Sequence, residues 1–242
     1  MIGSRNVGSV DTLRTIGPTS QMWPAIALEE RGYTLAAMAS MVHLTRHGEV
    51  ENPKHLVYAD LPGFRLSALG RLQAQEAARY LSARPVVAVW SSPLERAIET
   101  AQFIAARHQL PVRVDEQLTE WHLSSRWSGI QWEDLPNRLP GELEAYLEHP
   151  WDLDFTPETL EDLAERVADA TALLAEQYVN GDVVIVGHQD PIHAARLRLT
   201  GADHRRQQVG KPGHAAVVSL RPETPWRELS VWEPDVSSPG TG

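Results

Sequence analysis

Two uninterrupted apolar runs, Val86–Trp90 and Val183–Val186, constrain the fold of this chain more than any other feature. A strand wet on one face alternates apolar with polar residues. A run without alternation suits a strand covered on both faces, as in a parallel sheet packed between helices. Each run follows a segment with helical spacing. Ser67 is placed to N-cap a helix reaching about Ala83, with Leu69, Leu72, Ala77, Tyr80 and Leu81 as its apolar face. Thr159–Tyr178 is the strongest amphipathic segment. Met41–Thr45 and Val112–Val114 read as short strands, and Ala215–Leu220 and Glu228–Val231 as two final ones. Pro93 fits the first position of a helix ending near His108, and Gly201 fits the end of a helix over Pro191–Leu199. Strands alternating with helices predict an α/β fold: a three-layer α/β/α sandwich around a mixed, mostly parallel sheet.

The 242 residues suit one domain with an extension. Residues 1–40 show no sustained period, only a weak helical patch at Ala25–Glu30, and are expected to be a mobile extension. Met38 and Met41 leave the start of translation open. The domain is expected over 41–233. It includes an irregular Trp- and Pro-rich stretch over 120–158 with a helix at Gly141–Glu148. From Pro234 the Ser, Pro and Gly content predicts a disordered tail.

Composition removes several classes of function. Without cysteine there is no disulfide framework, thiolate metal site or thiol nucleophile. A net charge of −10 argues against non-specific nucleic-acid binding, which needs a basic surface. No apolar run reaches membrane-spanning length. Ala37-Met38-Ala39 resembles a small-residue cleavage site, but Glu29-Glu30-Arg31 stands where a signal peptide needs its apolar stretch. A cytoplasmic chain with no membrane or nucleic-acid partner is therefore expected. No glycine loop in a nucleotide-binding context is found, so no cofactor is expected. The oligomeric state stays open, a homodimer being compatible.

In parallel sheets ligands collect beyond the carboxyl ends of the strands. Arg46-His47-Gly48, Ser91-Ser92 and Gly187-His188 all fall there. With Arg96 and Glu120 they supply what phosphoryl transfer requires. Two guanidinium forks hold equatorial oxygens, an imidazole can attack phosphorus, a second histidine can donate to oxygen, and a protonated carboxyl can release a proton to the leaving alkoxide. No metal is needed for these roles.

Four stretches carry a family resemblance. Leu44-Thr45-Arg46-His47-Gly48-Glu49 resembles the RHG signature of the histidine phosphatase superfamily, the phosphoglycerate-mutase-like RHG-motif phosphatases. Ser91-Ser92-Pro93-Leu94-Glu95-Arg96-Ala97-Ile98-Glu99-Thr100-Ala101, Leu118-Thr119-Glu120 and Val186-Gly187-His188 resemble its later blocks, in the family order. The resemblance implies that His47 becomes phosphorylated, that Arg46, Arg96 and His188 bind the phosphoryl group, and that Glu120 is the acid. Val50 stands where many members have Thr, and Asn52 comes one position earlier than the family's usual Asn. The run from Glu120 to Arg126 differs from the ERHYG-like run of phosphoglycerate mutases, which favours hydrolysis.

The expected activity is that of a histidine acid-type phosphatase hydrolysing a small-molecule phosphomonoester without a metal. A mutase is the runner-up, followed by a phosphoprotein phosphatase and an inactive binding module. Asn52, Tyr58, Arg65 and Trp121 are candidate substrate contacts, with Phe64 beside them and Trp127, Trp132 and Trp151 as further wall or packing residues. Arg126 reads as a surface residue, and His122, His193 and His214 receive no role. His43 and His47 stand four apart, as in a zinc-binding HExxH motif, but on a strand their rings do not share a helix face, so no metal site is expected.

Overall fold

The computed structural model describes residues 38–236, so most of the expected extension and the end of the tail lie outside the described residues. The strands are β1 (Met41–Arg46), β2 (Val86–Ser91), β3 (Val112–Val114), β4 (Asp182–Gly187), β5 (Val217–Arg221) and β6 (Arg227–Trp232). They form one sheet in the order β3-β2-β4-β1-β5-β6. β1 to β4 run parallel, and β5 lies antiparallel to both β1 and β6. The helices are α1 (Ala68–Leu81), α2 (Glu95–His108), α3 (His122–Arg126), α4 (Leu135–Arg138), α5 (Glu142–Glu148), α6 (Leu160–Glu176) and α7 (Gln189–Thr200). Among the described residues no helix is long and apolar enough to cross a membrane.

β4 is buried at every position, as its unbroken apolar run requires. Successive side chains point to opposite faces. Val183 and Ile185 join the core beneath α6 and α7, whereas Val184 and Val186 join the core with α1 and α2. Burial of each such aliphatic side chain contributes roughly 1.5–3 kcal/mol. The result is the three-layer sandwich, with β4 and most of β1 closed off from water on both sides and the edge strands β3 and β6 partly exposed.

Local signals set several helix ends. Ser67 accepts from Gly70 N at the start of α1, and Thr159 with Asp162 forms a capping box at α6. Gly201 ends α7 at φ 68, a left-handed value that suits glycine.

Two local expectations are corrected. Leu69 and Leu72 are exposed, and α1 instead buries Gly70, Ala74, Ala77, Ala78 and Leu81. The buried face of α1 packs mainly small side chains against Ala97, Ala101 and Ala105 of α2, with Leu81 and Ile104 as the large residues there. Pro93 does not open α2, which starts at Glu95 after an extended Leu94. Ser92 N still bonds Val186 O at 2.9 Å, so the chain remains sheet-like one residue past β2 and turns later. The irregular stretch contains the short helices α3, α4 and α5.

Candidate active site

β4 lies between β1 and β2, and the three end level because Arg46 pairs with Gly187 and Ser91 with Val186. The next residues, His47, Ser92 and His188, therefore meet just beyond the sheet. The His47 and His188 ring centroids are 5.3 Å apart, and His214 lies 5.8 Å from His47 on the loop before β5.

His47 Nδ1 donates to Gly48 O at 2.7 Å. A carbonyl oxygen only accepts, so the proton sits on Nδ1 and the lone pair on Nε2. The turn that permits this bond runs tightly against α1. A Cβ on Gly48 would stand 2.4 Å from Gly70 O, so neither partner backbone leaves room for a side chain there. Gly48 N also donates to Thr100 Oγ1 of α2 at 3.1 Å. Burial pushes the His47 pKa well below the ordinary imidazole value, and the nearby Arg96, His188 and Arg46 push it the same way. The ring is thus neutral at neutral pH.

Arg46 donates through Nη1 to Pro212 O at 3.1 Å and through Nη2 to His214 Nε2 at 3.0 Å. A guanidinium only donates, so His214 accepts at Nε2. Burial, with Arg46 beside it, lowers the His214 pKa to about 4. Arg96 donates through Nη2 to Ala59 O at 2.7 Å, and its guanidinium lies 4.7 Å from the centre of the Tyr58 ring. Nε of both arginines is buried without a hydrogen bond. His188, fully buried, pairs through Nε2 with Ser92 Oγ at 2.7 Å.

The Glu120 Oε2 atom stands 3.7 Å from His188 Nδ1 and 4.0 Å from Arg96 Nη2. These distances exceed hydrogen-bond range, so three groups converge without being bonded to one another. Glu120 Oε1 accepts from Trp121 N at 2.9 Å. Burial raises the Glu120 pKa, Arg96 opposes that shift, and Asp190 adds to it. The buried Arg96 and half-buried Arg46 guanidinium groups near a single carboxyl leave local positive charge, which an anion with several oxygens would neutralise.

The other residues expected at the site divide. Tyr58 belongs to it through Arg96 and is stacked on Phe64 at 5.1 Å. Trp121 is buried and donates through Nε1 to Glu158 O at 2.9 Å. Asn52 turns to its own loop, bonding Leu56 O at 2.9 Å and Leu56 N at 3.1 Å. Arg65 is exposed and grips Glu95 at 3.0 Å, away from the histidines. Arg126 holds Glu142 through two nitrogens, at 2.9 and 2.7 Å. Trp151 lies away from the other indoles, against His149 and His204. His43 is buried between Ser219 Oγ at 2.9 Å and Asp182 Oδ2 at 3.1 Å.

Sequence reasoning missed His214, and it missed a brace behind the Glu120 loop. Arg166 of α6 donates to Glu158 at 2.7 and 3.0 Å, and to the carbonyls of Gln117 at 2.7 Å and Thr119 at 3.3 Å. Its Nη2 also reaches Glu120 O at 3.5 Å. Glu158 accepts from His122 N at 3.1 Å. The pair thus fixes the backbone on both sides of Glu120. No motif spacing announces it, because the arginine lies 46 residues downstream on another element. A larger cavity, ≈ 580 Å³, lies between α7 and the β5–β6 hairpin and is lined by none of the site residues.

The profile of the histidine phosphatase superfamily (branch 1) matches residues 42–233. An uncharacterized Mycobacterium tuberculosis protein, Rv0525, is 41% identical over 193 residues, covering 75% of this chain and 89% of that protein. Phosphoserine phosphatase 1 of Hydrogenobacter thermophilus is 32% identical over 162 residues, covering 66% of this chain and 76% of that protein. The mycobacterial glucosyl-3-phosphoglycerate phosphatase Rv2419c superimposes with a TM-score of 0.71 at 28% identity, over 81% of this chain and 99% of the other. Profile, relatives and fold agree: the chain belongs to the histidine phosphatase superfamily, branch 1.

Proposed function

We propose that the protein hydrolyses a small-molecule phosphomonoester through a phosphohistidine on His47. The observation that carries this reading is the His47–Gly48 hydrogen bond, which leaves a neutral Nε2 lone pair beside the buried Arg96 and the half-buried Arg46. Nε2 attacks phosphorus as the ester P–O bond breaks. Arg46, Arg96 and His188 hold the equatorial oxygens, and Glu120 gives its proton to the departing alkoxide. Glu120, now a carboxylate, then takes a proton from water as the water oxygen attacks phosphorus. The N–P bond breaks, inorganic phosphate leaves and His47 is restored. The arginines supply the positive charge, so the cycle needs no metal.

Phosphatases among the relatives support hydrolysis, and so does the absence of the mutase-type run after Glu120. On this reading the enzyme is a histidine acid-type phosphatase of the cytoplasm, acting on a soluble metabolite ester. The test is phosphate release from a panel of esters with EDTA present and His47→Ala as control. The panel includes 3-phosphoglycerate with and without 2,3-bisphosphoglycerate. Metal-independent release lost in His47→Ala is expected; isomerisation without release would make the protein a mutase instead.

A further inference from the structure

A cavity of ≈ 80 Å³ opens beside Glu120. Trp121, Trp127, Trp132 and Tyr146 form its walls, with ring centroids between 5.5 and 6.4 Å apart. Val57 and Leu123 add apolar surface. Its polar groups are Glu120, Asp190 and Ser124, and no Lys, Arg or His of the described residues lines it. The nearby cations Lys211 and Arg126 already have carboxylate partners, Asp190 of the lining and Glu142. Lys211 Nζ lies 2.5 Å from Asp190 Oδ1 and donates to Tyr146 OH at 2.8 Å, and Arg126 is held by Glu142.

A group entering this cavity therefore meets ring faces, which carry partial negative charge, the Glu120 carboxyl, and an Asp190 whose charge Lys211 already offsets. A carboxylate there would lose its water without gaining a cation. An uncharged alcohol loses little, and an ammonium gains from the ring faces. We infer that the alcohol released by this enzyme is uncharged or ammonium-bearing, and that esters with a carboxylate on the leaving group are poor substrates. The inference rests on the proposed reaction, because Glu120 must reach the leaving oxygen and so places the leaving group at this cavity. It separates the protein from enzymes acting on phosphoserine or phosphoglycerate, both of which carry a carboxylate.

The test compares kcat/KM for propyl phosphate, phosphoethanolamine, phosphoserine and 3-phosphoglycerate, with p-nitrophenyl phosphate as a reference for the phosphoryl machinery. The first two should exceed the two carboxylate esters by about tenfold or more. Trp132→Lys, at a half-exposed wall position, should shrink or reverse that ratio, both classes of ester being compared within the one variant. Equal or better turnover of the carboxylate esters by the unaltered enzyme, with p-nitrophenyl phosphate hydrolysed, would overturn the inference and leave the phosphatase reading standing. No hydrolysis of any ester, p-nitrophenyl phosphate included, would overturn both.

Discussion

The Nδ1 nitrogen of His47 is tied to the carbonyl oxygen of its own neighbour, Gly48, at 2.7 Å. This one bond sets the tautomer of the ring, and the ring's surroundings keep it neutral. The bond exists because Gly48 passes close to Gly70 at the start of α1. Gly48→Ala would force its new Cβ into the Gly70 carbonyl. The expected outcome is a loss of roughly 2–4 kcal/mol of stability, or a displaced turn and a fall in kcat of at least about 100-fold. Urea unfolding alongside steady-state kinetics separates the two.

The pH profile follows from two opposite shifts. His47 has its pKa lowered, so it stays neutral as the pH falls through the ordinary imidazole range, and the acid limb of kcat/KM should lie below about pH 6.5. Glu120 has its pKa raised, so it remains protonated above the usual carboxylate range, and activity should fall as the pH rises through that value. Glu120→Gln should cost about 10²–10⁴-fold on alkyl phosphates and far less on p-nitrophenyl phosphate, whose leaving group needs no proton. Equal losses on both substrates would show that Glu120 is not the acid.

Stability should fall on mild acidification. His193 and His214 both have folded pKa values lowered to about 4. Below about pH 6.5 the unfolded chain takes up protons that the folded chain refuses, so folding free energy is lost as the pH drops from about 6.5 toward 4. His214→Gln should flatten part of that slope. Chemical denaturation at a series of pH values reads the effect.

His214 also braces Arg46. Its replacement by Ala should raise KM several-fold, by loosening one phosphate clamp, and leave the leaving-group dependence unchanged. Inorganic phosphate should raise the Tm of the unaltered protein by mass action, and less so in His214→Ala. A thermal-shift titration with phosphate tests both statements.

Arg166 acts at one remove from the chemistry. Arg166→Ala frees the Gln117 and Thr119 carbonyls and leaves Glu158 without its cation. Poor leaving groups should then lose about 10–100-fold in kcat while p-nitrophenyl phosphate changes little. Arg166→Lys should rescue only in part, because one ammonium cannot replace the fork. A uniform loss on all substrates would mark a purely structural role.

The sheet, and the meeting of Arg46, His47 and His188 at its edge, were readable because strand ends in a parallel sheet are fixed by register. The face of α1 was not readable: leucines score as core, yet the face turned to α2 is built mainly of Gly70, Ala74, Ala77 and Ala78, with Leu81 as its one buried leucine. Loop side chains were harder still. Asn52 and Arg65 lie in the expected loop, but Leu56 and Glu95 claim them, and nothing in the local sequence says so. His214 and Arg166 come from distant parts of the chain and enter through tertiary contacts alone.

In the proposed cycle phosphorus passes through Nε2 of His47. The most direct measurement is an alkaline quench during turnover, followed by mass spectrometry of the peptide containing His47. A transient phosphoryl group on Nε2 is expected, formed and lost at rates compatible with kcat and absent in His47→Ala. Turnover with no phosphorylated His47, together with inversion of configuration at a chiral phosphoryl group, would mean that water attacks the ester directly, and would contradict that cycle.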